Sequence, residues 1–293
     1  MFVTCTKNVL NMDLQKFRKV TPLKPAAAWI GGKSQLAERI IARIERIPHR
    51  AYVEPFVGMG GIFLRRRLAP AAEVINDLSG DVANFFRILQ HHYVPFMDLL
   101  RYRFTSREEF GRLLAQDPET LTDLHRAVRF LYLQRASFGG KVAGRTFGVS
   151  PQLPGRFDVT KLEPRLAEIA ERLAAVVIEN LPYADLILAY DRPGTLFYLD
   201  PPYWGAEGYY GKGMFGRGDF AALAEQLAGL KGVFVLSIND TAEIRKIFGS
   251  FDLEEVDLTY TIDGNDNAKV ARELIVTQKD LPMRPEPQPL LFD

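Results

Sequence analysis

Two consecutive prolines, Pro201 and Pro202, follow directly on the apolar run Thr195-Leu196-Phe197-Tyr198-Leu199 and the single acid Asp200. Proline donates no backbone hydrogen bond, so two in succession cannot continue a central sheet ladder. The run must therefore end as a buried strand at Leu199. That leaves a carboxylate, a stiffened carbonyl and the ring of Tyr203 at the strand's carboxyl end. Open α/β sheets bind their ligands along that edge. The bland alternative is an ordinary proline-rich exit turn.

An earlier stretch has the same logic. The short apolar run Ala51-Tyr52-Val53 leads into Glu54-Pro55-Phe56-Val57-Gly58-Met59-Gly60-Gly61. A helix-like Ile62–Leu68 follows, and then Glu73-Val74-Ile75-Asn76-Asp77 reads as a second strand ending in an acid. Strand, glycine-rich turn, helix and strand make the opening of a parallel βαβ sheet. Gly58 and Gly60 let the backbone turn tightly and approach a ligand closely. The pattern is not GxGxxG, and tight packing alone would also explain it. Asp77, 19 residues after Gly58, stands where an acid can accept hydrogen bonds from ribose hydroxyls. Ahead of this unit, Gly31-Gly32-Lys33-Ser34 precedes apolar residues at Leu36, Ile40, Ile41, Ile44 and Ile47, the spacing of an amphipathic helix that Pro48 stops.

The alternation then pauses. Residues 81–172 are mostly helical in pattern, broken by a Gly/Ser/Pro-rich basic loop from Ser137 to Gly155. Strand signals return at Ala175–Leu181, Thr195–Asp200 and Val233–Asn239, with helices at Phe220–Leu230 and Thr241–Phe248. The end reads as a hairpin, Leu253–Ile262 and Arg272–Gln278 around the turn Asp263–Asp266. The expected organisation is one α/β catalytic unit, residues 25–84 and 173–280, split by a helical basic insertion at 85–172. A loosely held lead-in, 1–24, and a flexible proline-rich tail, 281–293, flank it.

Net charge is only +1, from 37 basic and 36 acidic residues, so the average does not announce a nucleic-acid partner. The distribution does. Leu124 to Phe157 holds no acid, while Arg126, Arg129, Arg135, Lys141, Arg145 and Arg156 all fall inside it. Such a window is a local electrostatic footprint of the kind that attracts a nucleic acid, or else a solvated basic face. The single cysteine, Cys5, excludes an internal disulfide, and the four histidines have no metal-ligand spacing, so no metal is expected. No stretch approaches 18 apolar residues and no signal-peptide core is present, so a cytoplasmic protein without a membrane span is expected.

The Phe-x-Gly-x-Gly turn after one strand and Asp-Pro-Pro-Tyr after a later one resemble the amino-group DNA methyltransferases. The order of parts resembles the DNA adenine methyltransferase (Dam-type) branch: Trp29-Ile30-Gly31-Gly32-Lys33, then Val53 to Gly60, then Asn76-Asp77 and Leu131–Arg135. Asn239-Asp240-Thr241 and Glu273-Leu274-Ile275 match further on. The resemblance covers roughly residues 25–279 in order. It implies a Rossmann-like S-adenosylmethionine-dependent methyltransferase fold: α/β, with a mostly parallel seven-stranded sheet ending in a hairpin and an inserted helical recognition domain.

The resemblance also implies roles. S-adenosylmethionine would be the cofactor, with Trp29, Lys33, Glu54, Phe56, Gly58 and Gly60 toward its methionine side, Asp77 on the ribose and Asp185 near the adenine ring, and with Gly32 also among the cofactor-binding residues. Asp200, Pro201, Pro202 and Tyr203 would be catalytic: the Asp200 carboxylate and Pro201 carbonyl accept hydrogen bonds from the exocyclic amine of a flipped adenine, and Tyr203 stacks on the base. Cytosine's exocyclic amine is the alternative substrate, and a non-enzymatic DNA-binding protein with a degenerate fold is the alternative class. Arg135, Phe138, Lys141 and Arg145 would contact double-stranded DNA. The family's Asn-Arg-x-Gly-x-Asn-Gly pattern is here Gln134-Arg135-Ala136-Ser137-Phe138-Gly139-Gly140, so both asparagines are gone and a GATC target does not carry over. Gln288-x-x-Leu291-Phe292 in the tail resembles the short peptides that dock on the bacterial sliding clamp, which makes that clamp an expected partner.

Overall fold

The computed structural model describes residues 17–149, 152, 154–210, 213–261 and 268–284. Gln288, Leu291 and Phe292, and the hairpin turn 263–266, lie outside the described residues. In chain order the elements are β1 (Arg18–Lys19), α1 (Ala37–Arg46), β2 (Ala51–Glu54), β3 (Leu68–Ala69), β4 (Ala72–Asn76), α2 (Gly80–His91), α3 (Tyr93–Leu100), α4 (Arg107–Ala115), α5 (Asp123–Ala136) and α6 (Val159–Leu173). They continue as β5 (Val177–Glu179), α7 (Tyr183–Tyr190), β6 (Thr195–Leu199), α8 (Arg217–Ala228), β7 (Val233–Asn239), α9 (Ala242–Ile247), β8 (Asp252–Thr261) and β9 (Ala268–Thr277).

Seven of these strands form one sheet in the order β5-β4-β2-β6-β7-β9-β8. The first five run parallel, and β9 enters antiparallel between β7 and β8 as the second arm of the terminal hairpin. The chain winds from β2 outward to β4 and β5, then returns to lay β6 on β2's other side. The switch point therefore lies between β2 and β6, where the two turns that follow them form a crevice. Val53 pairs with Phe197 across that seam, so Glu54 and Asp200 leave the sheet on neighbouring strands.

Alternation along each strand feeds two cores. Tyr52, Ile75, Leu196, Tyr198 and Val235 pack on one face, against α1 and the helices of 80–173, in one continuous buried cluster. Val53, Val74, Phe197, Leu199 and Phe234 face the other way, against α7, α8 and α9. Burial on both faces explains why β6 reads as an unbroken apolar run. Helix α6 is tied to the sheet by charge as well. Glu73 of β4 is buried and accepts from Arg66 at 2.8 Å and from Arg172 of α6 at 2.7 Å.

Two local expectations change. The helix expected at 62–68 is a 3₁₀ turn, Phe63–Arg65, followed by extended Arg66, because Arg66 must reach Glu73 and Leu68 must pair with Lys19. Residues 17–24 are not a loose lead-in. β1 pairs with β3, and Leu23, only 8% exposed, donates its backbone N–H to Leu64. Among the described residues no helix is long and apolar enough to cross a membrane.

Candidate active site

The crevice at the β2/β6 switch point opens into a cavity of about 390 Å³. That lies in the range of small-molecule sites. Trp29, Gly32, Lys33, Glu54, Phe56, Gly58, Asp77, Asp200 and Pro202 all line it. The 29–33 segment precedes α1, Glu54 to Gly58 follow β2, Asp77 follows β4, and Asp200 and Pro202 follow β6.

The glycines of the β2 turn do different work. Gly58 has φ +51°, and a Cβ there would stand 2.6 Å from the Trp29 indole nitrogen. No other residue allows that approach. Its N–H donates to Asp77 at 2.9 Å, which ties the β2 turn to the β4 turn. Gly60, with φ +76°, completes the turn by donating to Val57 and does not line the cavity. Asp77 also accepts from the Ser79 N–H at 2.9 Å. Asn76, beside it, donates to the Pro55 and Leu181 carbonyls and accepts from the Leu181 N–H, knotting the ends of β2, β4 and β5.

Three carboxyls meet in this space, and burial raises each of them. Glu54 is pushed up to about 8, against the pull of the Tyr52 hydroxyl that donates to it at 2.6 Å and of Arg66. Asp77 rises to about 6, its two backbone donors only partly offsetting desolvation. Asp200 also rises to about 6, opposed mainly by Lys33.

The catalytic-motif residues sit in a hydrogen-bonded frame. Lys33 is buried and donates to Asp200 at 2.7 Å and to the Tyr203 hydroxyl at 2.6 Å, and its ammonium stands 4.2 Å from the Tyr203 ring centre. The Tyr203 hydroxyl in turn donates to Glu273 of β9. Asn239, at the end of β7, accepts from the Trp204 N–H at 2.9 Å and donates to the Trp204 carbonyl at 3.1 Å, clamping the loop just after the motif. Pro201 is buried outside the cavity lining.

Other expected residues lie elsewhere. Asp185 is exposed on the first turn of α7 and does not line the cavity. Phe56 instead packs with Tyr183 and Phe215, ring centres 5.6 and 5.9 Å away. The basic window is mostly spent inside the protein. Arg126 pairs with Asp81 and Glu119, and Arg129 donates to the Leu113 and Leu114 carbonyls. Arg135 donates to Ala26 and Arg156 carbonyls and lines the cavity. Arg145 donates to Gln134 at 3.0 Å, and burial lowers it to about 10. Lys141 is exposed, and Phe138 is 55% exposed with Arg156 over its ring.

The sequence resemblance covers Asn239 and Glu273, and departs at Gln134, without giving any of the three a role. Their partners lie 35, 70 and 106 positions away, so spacing alone could not reveal them. Among the described residues no group of three or more His, Cys, Asp or Glu side chains could hold a metal ion.

Comparison with known proteins agrees with this geometry. A type II methyltransferase of Lactococcus lactis subsp. cremoris, M1.LlaDCHI, is 26% identical over 91% of this chain and 99% of its own. A DNA adenine methylase of Vibrio cholerae is 28% identical over 81% of this chain and 89% of its own. The DNA adenine methylase of Escherichia coli K12 is 28% identical over 60% and 63%. A family profile described as D12 class N6 adenine-specific DNA methyltransferase matches residues 29–262. With that match over most of its length, and an Asp-Pro-Pro-Tyr motif opening on the switch-point cavity, this chain belongs to the D12 class of N6 adenine-specific DNA methyltransferases.

Proposed function

We propose that the chain methylates the N6 amine of a flipped adenine in double-stranded DNA, with S-adenosylmethionine in the cavity and Asp200 and Pro201 as acceptors for the amine. The observation that carries this reading is the position of Asp200: it ends the strand beside β2 and faces the same cavity as Glu54, Gly58 and Asp77.

The cavity suits the cofactor. The Glu54, Asp77 and Asp200 carboxyls share the lining with Lys24, Lys33, Arg65, Arg135 and Arg165, which suits a ligand that carries charges of both signs; Trp29 and Phe56 offer aromatic walls, and the Gly58 turn has no Cβ to fill the space beside the indole. Each Asp77 oxygen accepts one backbone N–H and keeps a lone pair for a ribose hydroxyl. S-adenosylmethionine, when bound, supplies an electrophilic methyl group on a sulfonium.

The chain's own residues do the rest. Adenine's amino lone pair is delocalised into the ring and is a poor nucleophile. Acceptors at Asp200 and the Pro201 carbonyl favour the pyramidal nitrogen, and the Asp200 charge stabilises the positive charge that develops there. Tyr203 is anchored by Lys33 and Glu273, so its ring offers a fixed face to the base. Exposed Lys141 and Phe138 put a phosphate-seeking charge and an apolar ring on the recognition loop.

Asp200→Ala tests the reading. Methyl incorporation into DNA should fall by about 10²–10³ while cofactor affinity survives. Retention of more than about a tenth of the rate would refute it. Docking on the sliding clamp through Gln288, Leu291 and Phe292 is a separate proposal from the sequence. A peptide of residues 284–293 should bind purified clamp at micromolar strength, and Leu291→Ala with Phe292→Ala should erase that binding.

A further inference from the structure

The resemblance places Lys33 on the cofactor's methionine side, yet its ammonium is turned to the catalytic motif. The side chain is 2% exposed, and its three N–H bonds have three acceptors: Asp200 at 2.7 Å, the Tyr203 hydroxyl at 2.6 Å and the Gly31 carbonyl at 3.2 Å. Glu273, also 2% exposed, stands 3.7 Å from the same ammonium and accepts from Tyr203. Other groups face Asp200 as well. Ser237 of β7 donates to it at 3.3 Å and is itself bonded to Tyr198 of β6, while Glu54 at the end of β2, pushed up to about 8, is still protonated where Asp200 titrates. One cation thus answers two carboxylates, Glu273 buried behind it and Asp200 on the cavity wall, with a third carboxyl nearby.

Buried carboxylates without a cation ionise poorly, and two that share a site oppose each other. A protonated Asp200 would be a weak acceptor and would carry no charge to stabilise the reacting nitrogen. We infer that Lys33 is a positioning residue whose ammonium keeps Asp200 in its ionised, accepting form, with Glu273 holding that ammonium and the Tyr203 phenol in register. This rests on the reading of Asp200 as the acceptor of the adenine amine.

The inference has a readout that needs neither cofactor nor DNA. In the full chain labelled with ¹³C at aspartate carboxyls, the Asp200 resonance is the one lost in Asp200→Asn. Burial outweighs Lys33 and places its titration near 6 in the wild type. Lys33→Met should move that titration up by at least one pH unit. Glu273→Gln, which still accepts from Tyr203, should move it down. The double variant should return it to within about half a unit of the wild type, and Lys33→Arg should keep it there. The acid limb of single-turnover methylation should move in parallel. Should Lys33→Met fail to fold, Glu273→Gln and Lys33→Arg carry the test alone. An Asp200 titration unmoved by Glu273→Gln or by loss of the Lys33 charge overturns the inference. If Asp200→Asn still methylates at the wild-type rate, the underlying reading falls instead.

Discussion

The side-chain amide of Gln134 donates to the Ala28 carbonyl at 2.8 Å, 106 positions earlier in the chain. The same nitrogen donates to the Gly140 carbonyl at 2.7 Å, and that carbonyl also accepts from the Ile30 N–H. Arg145 completes the knot by donating to the Gln134 oxygen. The loop that follows α5 and the Trp29 wall of the switch-point cavity are therefore one mechanical unit.

Loosening that knot should be felt on both sides of it. A Cβ on Gly140 would lie 2.9 Å from the Ala28 backbone, at φ +67°, where side chains are strained by about 1–3 kcal/mol. Gln134→Ala leaves the Ala28 carbonyl without its donor and the Gly140 carbonyl with the Ile30 N–H alone, at about 1–3 kcal/mol. Either change should weaken cofactor binding as well as DNA binding. Calorimetry that finds cofactor affinity unaltered in both variants would show that the loop is held independently.

Gly58→Ala should be more damaging to cofactor binding than its size suggests. The added methyl meets the Trp29 indole at 2.6 Å and the backbone is left-handed there, so the wall or the turn must shift. Gly111→Ala is the contrast. Gly111 is a helix position with nothing within 4 Å, where alanine should raise stability by about 0.5–1 kcal/mol. Thermal melts and cofactor titration of the two variants separate local strain from the generic loss of a glycine.

How far the sequence alone reaches depends on the distance between partners. Asp200, Gly58 and Asp77 were legible as lining the cavity because each is fixed by its own strand end, within a few residues, whereas Gly60 only completes the turn. Lys33 was legible as a site residue but not in its role, since Asp200 and Glu273 lie on other strands. The acid-free window misled in another way. Its arginines find acids and carbonyls beyond the window, such as Asp81 for Arg126 and Ala26 for Arg135. The family resemblance puts Asp185 near the adenine ring, whereas the first turn of α7 carries it out to solvent.

The carboxyls make stability fall as pH rises. Glu54 is 2% exposed and titrates near 8 when folded, against about 4.5 unfolded. A raised carboxyl stabilises fully below its unfolded value and loses that contribution as pH climbs to its folded value. Stability should therefore decline between about pH 4.5 and 8, by on the order of a few kcal/mol, and level off above. Glu54→Gln should flatten this slope in denaturant melts. A cationic ligand would reverse the penalty, so cofactor binding near pH 7 should release a proton that Glu54→Gln no longer releases. Calorimetry in buffers of different ionisation enthalpy reads that proton directly.

The basic window supplies the sharpest division among residues grouped together by charge. Lys141 is exposed, whereas Arg135 lines the cavity and braces the Ala26 and Arg156 carbonyls. Lys141→Ala should weaken DNA binding and reduce the slope of log affinity against log salt by about 0.9, the loss of one phosphate contact, with cofactor affinity untouched. Phe138→Ala should weaken DNA binding and leave that slope alone, because a ring releases no counterion. Arg135→Ala should do the opposite of Lys141→Ala. Two carbonyls lose their donor, so the melting temperature and cofactor affinity should fall by the equivalent of about 1–3 kcal/mol, and the salt slope should stay close to wild type. If Arg135→Ala instead lowers the slope as Lys141→Ala does, its guanidinium reaches a phosphate and the bracing contacts are secondary.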